Sequence, residues 1–164
     1  SQLFMINADG SGVQRLLSSG GIDTEPSFTP DGRAILFASD RGGSPQIYRL
    51  TLASGAVERL TFDGGHNVSP HATPDGKGFV FVRRDGGRFL IAMQDYATRQ
   101  VQVLTSGPLD ESPSVAPNSK LIIDAAQQGP RGILAGVSSD GRVKQRLVSP
   151  AADVREPAWG PLPR

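Results

Sequence analysis

A unit of about 44 residues recurs along this chain, and a repeat of that length restricts the fold more than any single motif in it. Four segments fall in step: Glu25-Pro26-Ser27-Phe28-Thr29-Pro30-Asp31-Gly32, Ser69-Pro70-His71-Ala72-Thr73-Pro74-Asp75-Gly76, Ser112-Pro113-Ser114-Val115-Ala116-Pro117-Asn118-Ser119 and Glu156-Pro157-Ala158-Trp159-Gly160-Pro161. Their first prolines are spaced by 44, 43 and 44 residues. A second landmark keeps the same period: Gln2-Leu3-Phe4-Met5-Ile6 and Gln46-Ile47-Tyr48-Arg49-Leu50 lie 44 residues apart. Short apolar runs separated by turn signals, repeating at this length, predict the four-stranded blades of a β-propeller rather than a helical solenoid.

Residues 24–61 serve as the type unit. Thr24 to Thr29 reads as a first strand, closed by Pro30-Asp31-Gly32, where proline presets φ and glycine accepts a positive one. Ala34 to Ala38 is a continuous apolar run of strand length, as expected of a second strand covered on both faces. A polar loop, Ser39 to Pro45, leads to a third strand over Gln46 to Leu52, and Ala53-Ser54-Gly55 turns into the alternating Ala56 to Thr61, an outer edge strand. The next unit has Gly78 to Val82, a loop over Arg83 to Gly87, Phe89 to Ala92 and Val101 to Leu104. The third has Leu121 to Ile123, a loop over Gln127 to Pro130, Gly132 to Val137 and Lys144 to Leu147.

The predicted fold class is therefore all-β, a propeller of antiparallel four-stranded blades. Complete blade units fall at about 18–61, 62–105 and 106–148, with partial blades at 1–17 and 149–164, all within one propeller domain over 1–164. Ser1 enters in the middle of a repeat, so the chain is expected to be a fragment or a processed piece with natural sequence before it. Two closures are conceivable: the ends share a blade in a small ring, or the segment belongs to a larger ring whose other blades lie upstream. The second is favoured. A chain isolated in this form exposes an apolar blade face and is expected to oligomerise or swap.

Composition narrows the function. Twenty glycines and thirteen prolines would suggest disorder if scattered, but they recur at fixed repeat positions as turn chemistry. A net charge of +1 gives no reason to invoke nucleic acid, and no apolar run approaches the ~18 residues of a membrane span. With no cysteine there is no disulfide or thiolate metal site. Gly-x-Ser-x-Gly, His-Glu-x-x-His and phosphate-loop signatures are all missing, and two histidines five residues apart make a poor acid–base inventory. No catalytic residue is assigned, and the chain is read as not an enzyme.

Strand polarity alternates, so the fourth-to-first crossovers and the second-to-third loops open on one face and the Pro-Asp-Gly turns on the other. The crossovers are Ser18 to Glu25, Asp63 to Ser69, Gly107 to Ser112 and Pro150 to Glu156. They group Asp23, Thr24, Glu25, His66, Asn67, Asp110, Glu111, Arg155 and Glu156, the candidate partner-binding residues, on loops carried by a rigid scaffold. Each has a plainer alternative. Glu25, Glu111 and Glu156 stand near strand-opening prolines, where a carboxylate also solvates a loop or accepts backbone hydrogen bonds. His71 lies inside a strand and is read as structural, His66 is open between the two roles, Arg41, Arg83, Arg84 and Arg88 form a basic rim whose default is solvation, and Trp159 is expected in the core. Carboxylates around one channel suit calcium, but no Asp-x-Asp-x-Asp-Gly loop supports it, so no cofactor and no metal ligand is assigned.

The stretches Thr24 to Gly32, Ser39 to Tyr48 and Leu109 to Asn118, and the terminal Pro157-Ala158-Trp159-Gly160-Pro161-Leu162, resemble the TolB family along the whole chain. The resemblance implies a periplasmic protein of the Tol-Pal envelope system, with an amino-terminal α/β domain contacting TolA and a six-bladed propeller binding the peptidoglycan-associated lipoprotein Pal. It implies roles in outer-membrane integrity, cell division and protein transport, and exploitation of the same surface by colicin-type bacteriocins. Thr24 and Glu25 match its Pal-binding mouth and lead the candidates. Two positions depart from its pattern: Ala72 replaces an aromatic, and Asn118-Ser119 replaces Asp-Gly. Two other propeller classes stay open as alternatives. One gates or supports a hydrolase of the prolyl oligopeptidase type; the other binds a small ligand and would carry aromatic platforms in its channel loops, which these crossovers lack.

Overall fold

A computed structural model describes residues 1–147 and 153–160, so the expected last partial blade, with Pro150 and Pro161-Leu162, lies partly outside the described residues. Every regular element among them is a strand. β1 (Phe4–Met5) and β2 (Gln14–Arg15) form a two-stranded piece. β3 (Asp23–Phe28), β4 (Ala34–Ser39), β5 (Gln46–Thr51) and β6 (Val57–Arg59) make the first complete blade. β7 (Asn67–Ala72), β8 (Gly78–Asp85), β9 (Arg88–Asp95) and β10 (Val101–Val103) make the second. β11 (Asp110–Val115), β12 (Leu121–Gln128), β13 (Arg131–Ser138) and β14 (Lys144–Arg146) make the third. Each is an antiparallel meander with its strands in chain order.

The Pro-Asp-Gly turns form as their chemistry demands. Asp31 accepts from the Thr29 hydroxyl at 2.6 Å and from the Arg33 N–H at 3.0 Å, while Gly32 takes φ +67°. The second blade repeats this with Thr73, Asp75 and Lys77. In the third, Ala116 has no hydroxyl to offer and Ser119 takes the left-handed place of glycine at φ 58°, so only the Asn118 to Lys120 bond remains.

Two loops are shorter than the sequence suggested. Arg83 to Asp85 and Gln127 to Gln128 extend β8 and β12, and the chain reverses over Gly86-Gly87 and Gly129-Pro130. Gly86 and Gly87 both have positive φ, the geometry of a two-residue hairpin turn whose twist matches the strands. Only the first blade keeps a longer connection there, Asp40 to Pro45.

The core lies in the seams between blades. Second-strand residues alternate outward to both neighbours: Leu36 packs with Phe79 and Phe81 of the next blade, while Phe37 packs with Leu3, Tyr48 and Leu50 toward the β1–β2 piece. Val80 and Val82 turn the other way, onto Ile122 and Val137. Each such side chain contributes roughly 1.5–3 kcal/mol by burial, and the part made against a neighbouring blade is lost to a blade folding alone. At the edges the pattern stops. Phe4, Ile6 and Val13 are more than half exposed, and Trp159, expected in the core, is 40 % exposed.

Candidate functional site

The crossover ends and the second-to-third loops share one edge of every blade, since Asp23 pairs with Ser39 and Ser39 with Gln46. Each first strand carries an irregularity there. Pairing breaks between Thr24 and Ser27, between Val68 and His71, and between Glu111 and Ser114, because Pro26, Pro70 and Pro113 have no N–H to give the ladder. The residue before each proline takes a left-handed conformation: Glu25, Ser69 and Ser112 at φ 52° and Glu156 at φ 48°. For a non-glycine residue ahead of proline this is strained, and repeated strain at one rim marks a place the surrounding structure has to enforce.

The strained residues are tied across the first seam. The Glu25 carboxylate accepts from the Ser69 N–H at 2.9 Å and from the Ser69 hydroxyl at 2.8 Å, and the Ser27 hydroxyl donates to the Pro70 carbonyl. Crowding lowers the His71 pKa although its side chain is exposed along the strand, with the Glu25 charge pulling the other way. At the far end, the Trp159 N–H donates to the Ser114 hydroxyl at 3.0 Å and the Val154 N–H to the Gly132 carbonyl at 3.0 Å. The terminal segment thus sits on the third blade as a first strand would.

Three of the nine candidates are interior rather than surface residues. Asp23, Asn67 and Asp110, which open the three first strands, are 1 %, 0 % and 3 % exposed. They hold the crossovers from beneath. Asp23 accepts from Arg41 at 2.8 Å and from the Ser19 hydroxyl at 2.6 Å. Burial alone would push its carboxyl up, but bonds from Ser19, Ser39 and Arg41 outweigh that and hold it below the ordinary carboxylate value. Asn67 donates to Gln46 Oε1 and to the Asp63 carbonyl, in a buried set that includes Thr61. The Asp110 carboxylate accepts from the Gly107 N–H at 3.1 Å and lies so close that a Cβ on Gly107 would meet it at 2.4 Å.

The other six remain at the rim. Glu25, Glu111, Arg155 and Glu156 are exposed, and Thr24 and His66 half-buried, His66 meeting the Phe89 ring edge-on at 6.1 Å. Glu111, Arg155 and Glu156 line one cleft of about 240 Å³ between the third blade and the terminal segment. Arg155 bonds Asp153 at 3.1 Å, and Asp153, held first by the Gly132 N–H and then by Arg155, has its pKa lowered. Thr24 and Glu25 belong to the first seam instead, so the candidates fall into two groups on one edge. The basic rim is only partly solvated: Arg41 is salt-bridged and stacked 5.1 Å from the Phe37 and Tyr48 ring centroids, and Arg84 lies 5.9 Å from that of Phe89. Ser69 and Ser112 were not singled out from sequence; their place before the repeated proline was the available signal.

Residues 1–163 match the profile of the TolB beta propeller domain. Tol-Pal system protein TolB of Bordetella pertussis is 57 % identical over 165 residues, covering 100 % of this chain and 38 % of the relative. The crystal structure of TolB from Acinetobacter baumannii superposes with a TM-score of 0.89 at 44 % identity, over 96 % of this chain and 40 % of that one. A puromycin-hydrolyzing peptidase of Mycobacterium tuberculosis shares the fold alone, at 15 % identity and TM-score 0.71, over 91 % of this chain and 26 % of that one. The chain thus spans about two fifths of the TolB proteins it matches, and from its repeats, its seams and these likenesses it belongs to the TolB β-propeller family.

Proposed function

We propose that the chain is a non-enzymatic protein-binding scaffold of the Tol-Pal envelope machinery, acting in the periplasm as one partial propeller domain over 1–164. Its crossover edge binds the peptidoglycan-associated lipoprotein Pal, in support of outer-membrane integrity and constriction at division. The observation carrying this reading is the left-handed residue before proline in four successive repeats, which presents Glu25, Ser69, Ser112 and Glu156 along one rim. Loops strained on a rigid sheet are preorganised, so little conformational entropy is lost on docking. On this reading TolA is contacted by an amino-terminal α/β domain, and colicin-type bacteriocins use the same propeller edge.

The enzymatic reading draws on the peptidase neighbour, whose likeness supports only a shared fold. No chemistry in the chain adds to it: the histidines at 66 and 71 have no cysteine or nucleophile motif to serve. Calorimetric titration with the soluble domain of Pal tests the scaffold. Binding is expected, weakened at least about tenfold by Glu25→Lys with Thr24→Ala, which corresponds to ~1.4 kcal/mol. Absence of binding by the unmutated chain overturns the reading.

A further inference from the structure

The third blade departs from the other two at one interior position. Phe37, Phe81 and Asp124 are equivalent, each standing two residues before the partner of the residue that opens the first strand: Ser39 opposite Asp23, Arg83 opposite Asn67, Ala126 opposite Asp110. Two blades fill the place with a fully buried phenyl ring. The third puts a carboxylate there, 1 % exposed, with neither oxygen hydrogen-bonded. Alternation along β12 turns it the same way as Ile122, which packs on Val80, Val82, Ile91 and Leu104 of the second blade.

Beside it stands a second buried carboxylate, Asp110, and the two line a cavity of about 230 Å³ with Gly107, Ala135, Lys144 and Arg146. The charged groups around Asp124 are few. β11 contributes Asp110 and β14 the exposed Lys144 and Arg146; Thr105 to Gly107, which follow β10, and β13 line the cavity with uncharged residues. The second blade turns Val80, Val82, Ile91 and Leu104 onto the neighbouring Ile122 and Val137, with Arg84 near the end of β8 stacked on Phe89. Among the described residues no group of three His, Cys, Asp or Glu side chains comes together to hold a metal ion.

We infer that the seam between the second and third complete blades is a proton-dependent joint, closed while Asp124 is neutral and loosened when it ionises next to Asp110. A neutral carboxyl is tolerated in an apolar seam far better than a carboxylate without partners, and ionisation would set two like charges together in low dielectric. Burial, and then the Asp110 charge, push the Asp124 carboxyl up to about 7, so the change falls near neutral pH. Asp110 also holds Gly107, at the start of the crossover that carries Glu111 on the candidate edge. Loosening the seam therefore frees part of the partner-facing rim.

Hydrogen exchange on the 164-residue chain, corrected for intrinsic chemistry and compared between about pH 5.5 and about pH 8.5, tests the joint. Amides of β11 and β12 are expected to lose protection by roughly tenfold or more at the higher pH, while β4 and β5 of the first blade hold theirs. Asp124→Phe, which installs the residue of the other two blades, and Asp124→Asn should both abolish the difference. The inference is overturned if β11 and β12 do not respond, if both variants respond as the unmutated chain does, or if the first blade loosens equally. Should Asp124→Phe fail to fold, the carboxyl carbon shift of Asp124 decides: a midpoint near neutrality supports the joint, and one in the ordinary carboxylate range overturns it.

Discussion

Asp23 and Asp110 open the first strands of two blades at the same place, both buried, and the two blades surround that acid differently. In the first, Arg41 reaches back from the second-to-third loop to bond Asp23 while its guanidinium lies over Phe37 and Tyr48, so charge and ring share one packed unit. In the third, the hairpin is cut to Gly129-Pro130, Asp110 accepts instead from the Gly107 N–H, and the position of Phe37 is itself an acid. One carboxyl ends below its ordinary value and Asp124 ends far above it. The difference teaches that in a repeat protein the backbone copies faithfully while the fate of a buried charge depends on two or three side chains from other strands.

Breaking the satisfied pair should have the largest effect. Arg41→Ala leaves Asp23 buried without its cation and is expected to cost ~3–5 kcal/mol in urea unfolding, with only part of that recovered by Arg41→Lys, whose ammonium cannot stack and bond at once. A cost of a few tenths would mean that the two acids are not treated differently at all.

Mending the unsatisfied position should go the other way. Asp124→Phe is expected to stabilise by roughly 1–3 kcal/mol near pH 8, the cost of a buried group without partners. The sign follows from linkage: the folded chain holds the Asp124 proton more tightly than the unfolded one, so its contribution is most favourable below the ordinary 3.8 and is lost as pH rises toward about 7. Asp23 runs in the opposite sense, its contribution present above 3.8 and lost as pH falls through its lowered value. Urea midpoints measured across pH should therefore show the advantage of Asp124→Phe growing from acid to neutral.

Smaller effects belong to the rim. Glu25→Ala removes the acceptor of two Ser69 bonds at the surface and should cost about 0.5–1.5 kcal/mol by the same measurement. Ser112→Gly relieves a left-handed serine and is expected to gain a few tenths to about 1 kcal/mol, since the entropy of glycine offsets much of the strain. A loss at Ser112 would mean that its conformation is used for contact within the fold.

Much of the fold could be read from residue order, because turns and strand faces depend on neighbours within a few positions. Pro30-Asp31-Gly32 and the apolar run over Ala34 to Ala38 carry their reasons locally. The hairpins at Gly86-Gly87 and Gly129-Pro130 were read too long, since Arg83, Arg84 and Gln127 look like loop residues until their backbones are seen to pair. The crossovers share one edge of each blade, as strand order implies, but polarity alone did not separate exposed Glu25 and Glu156 from buried Asp23, Asn67 and Asp110.

By itself the sequence determined the period, the blade, the turn chemistry and the family likeness, all of which are written in short stretches that repeat. Only the tertiary structure decided which polar residues are inside, that Arg41 belongs to Asp23, that the residue before each proline is left-handed, and that Asp124 stands in a phenylalanine's place without a partner. Those outcomes are set by side chains from different strands and blades meeting in the seams, at separations in sequence that no local pattern records.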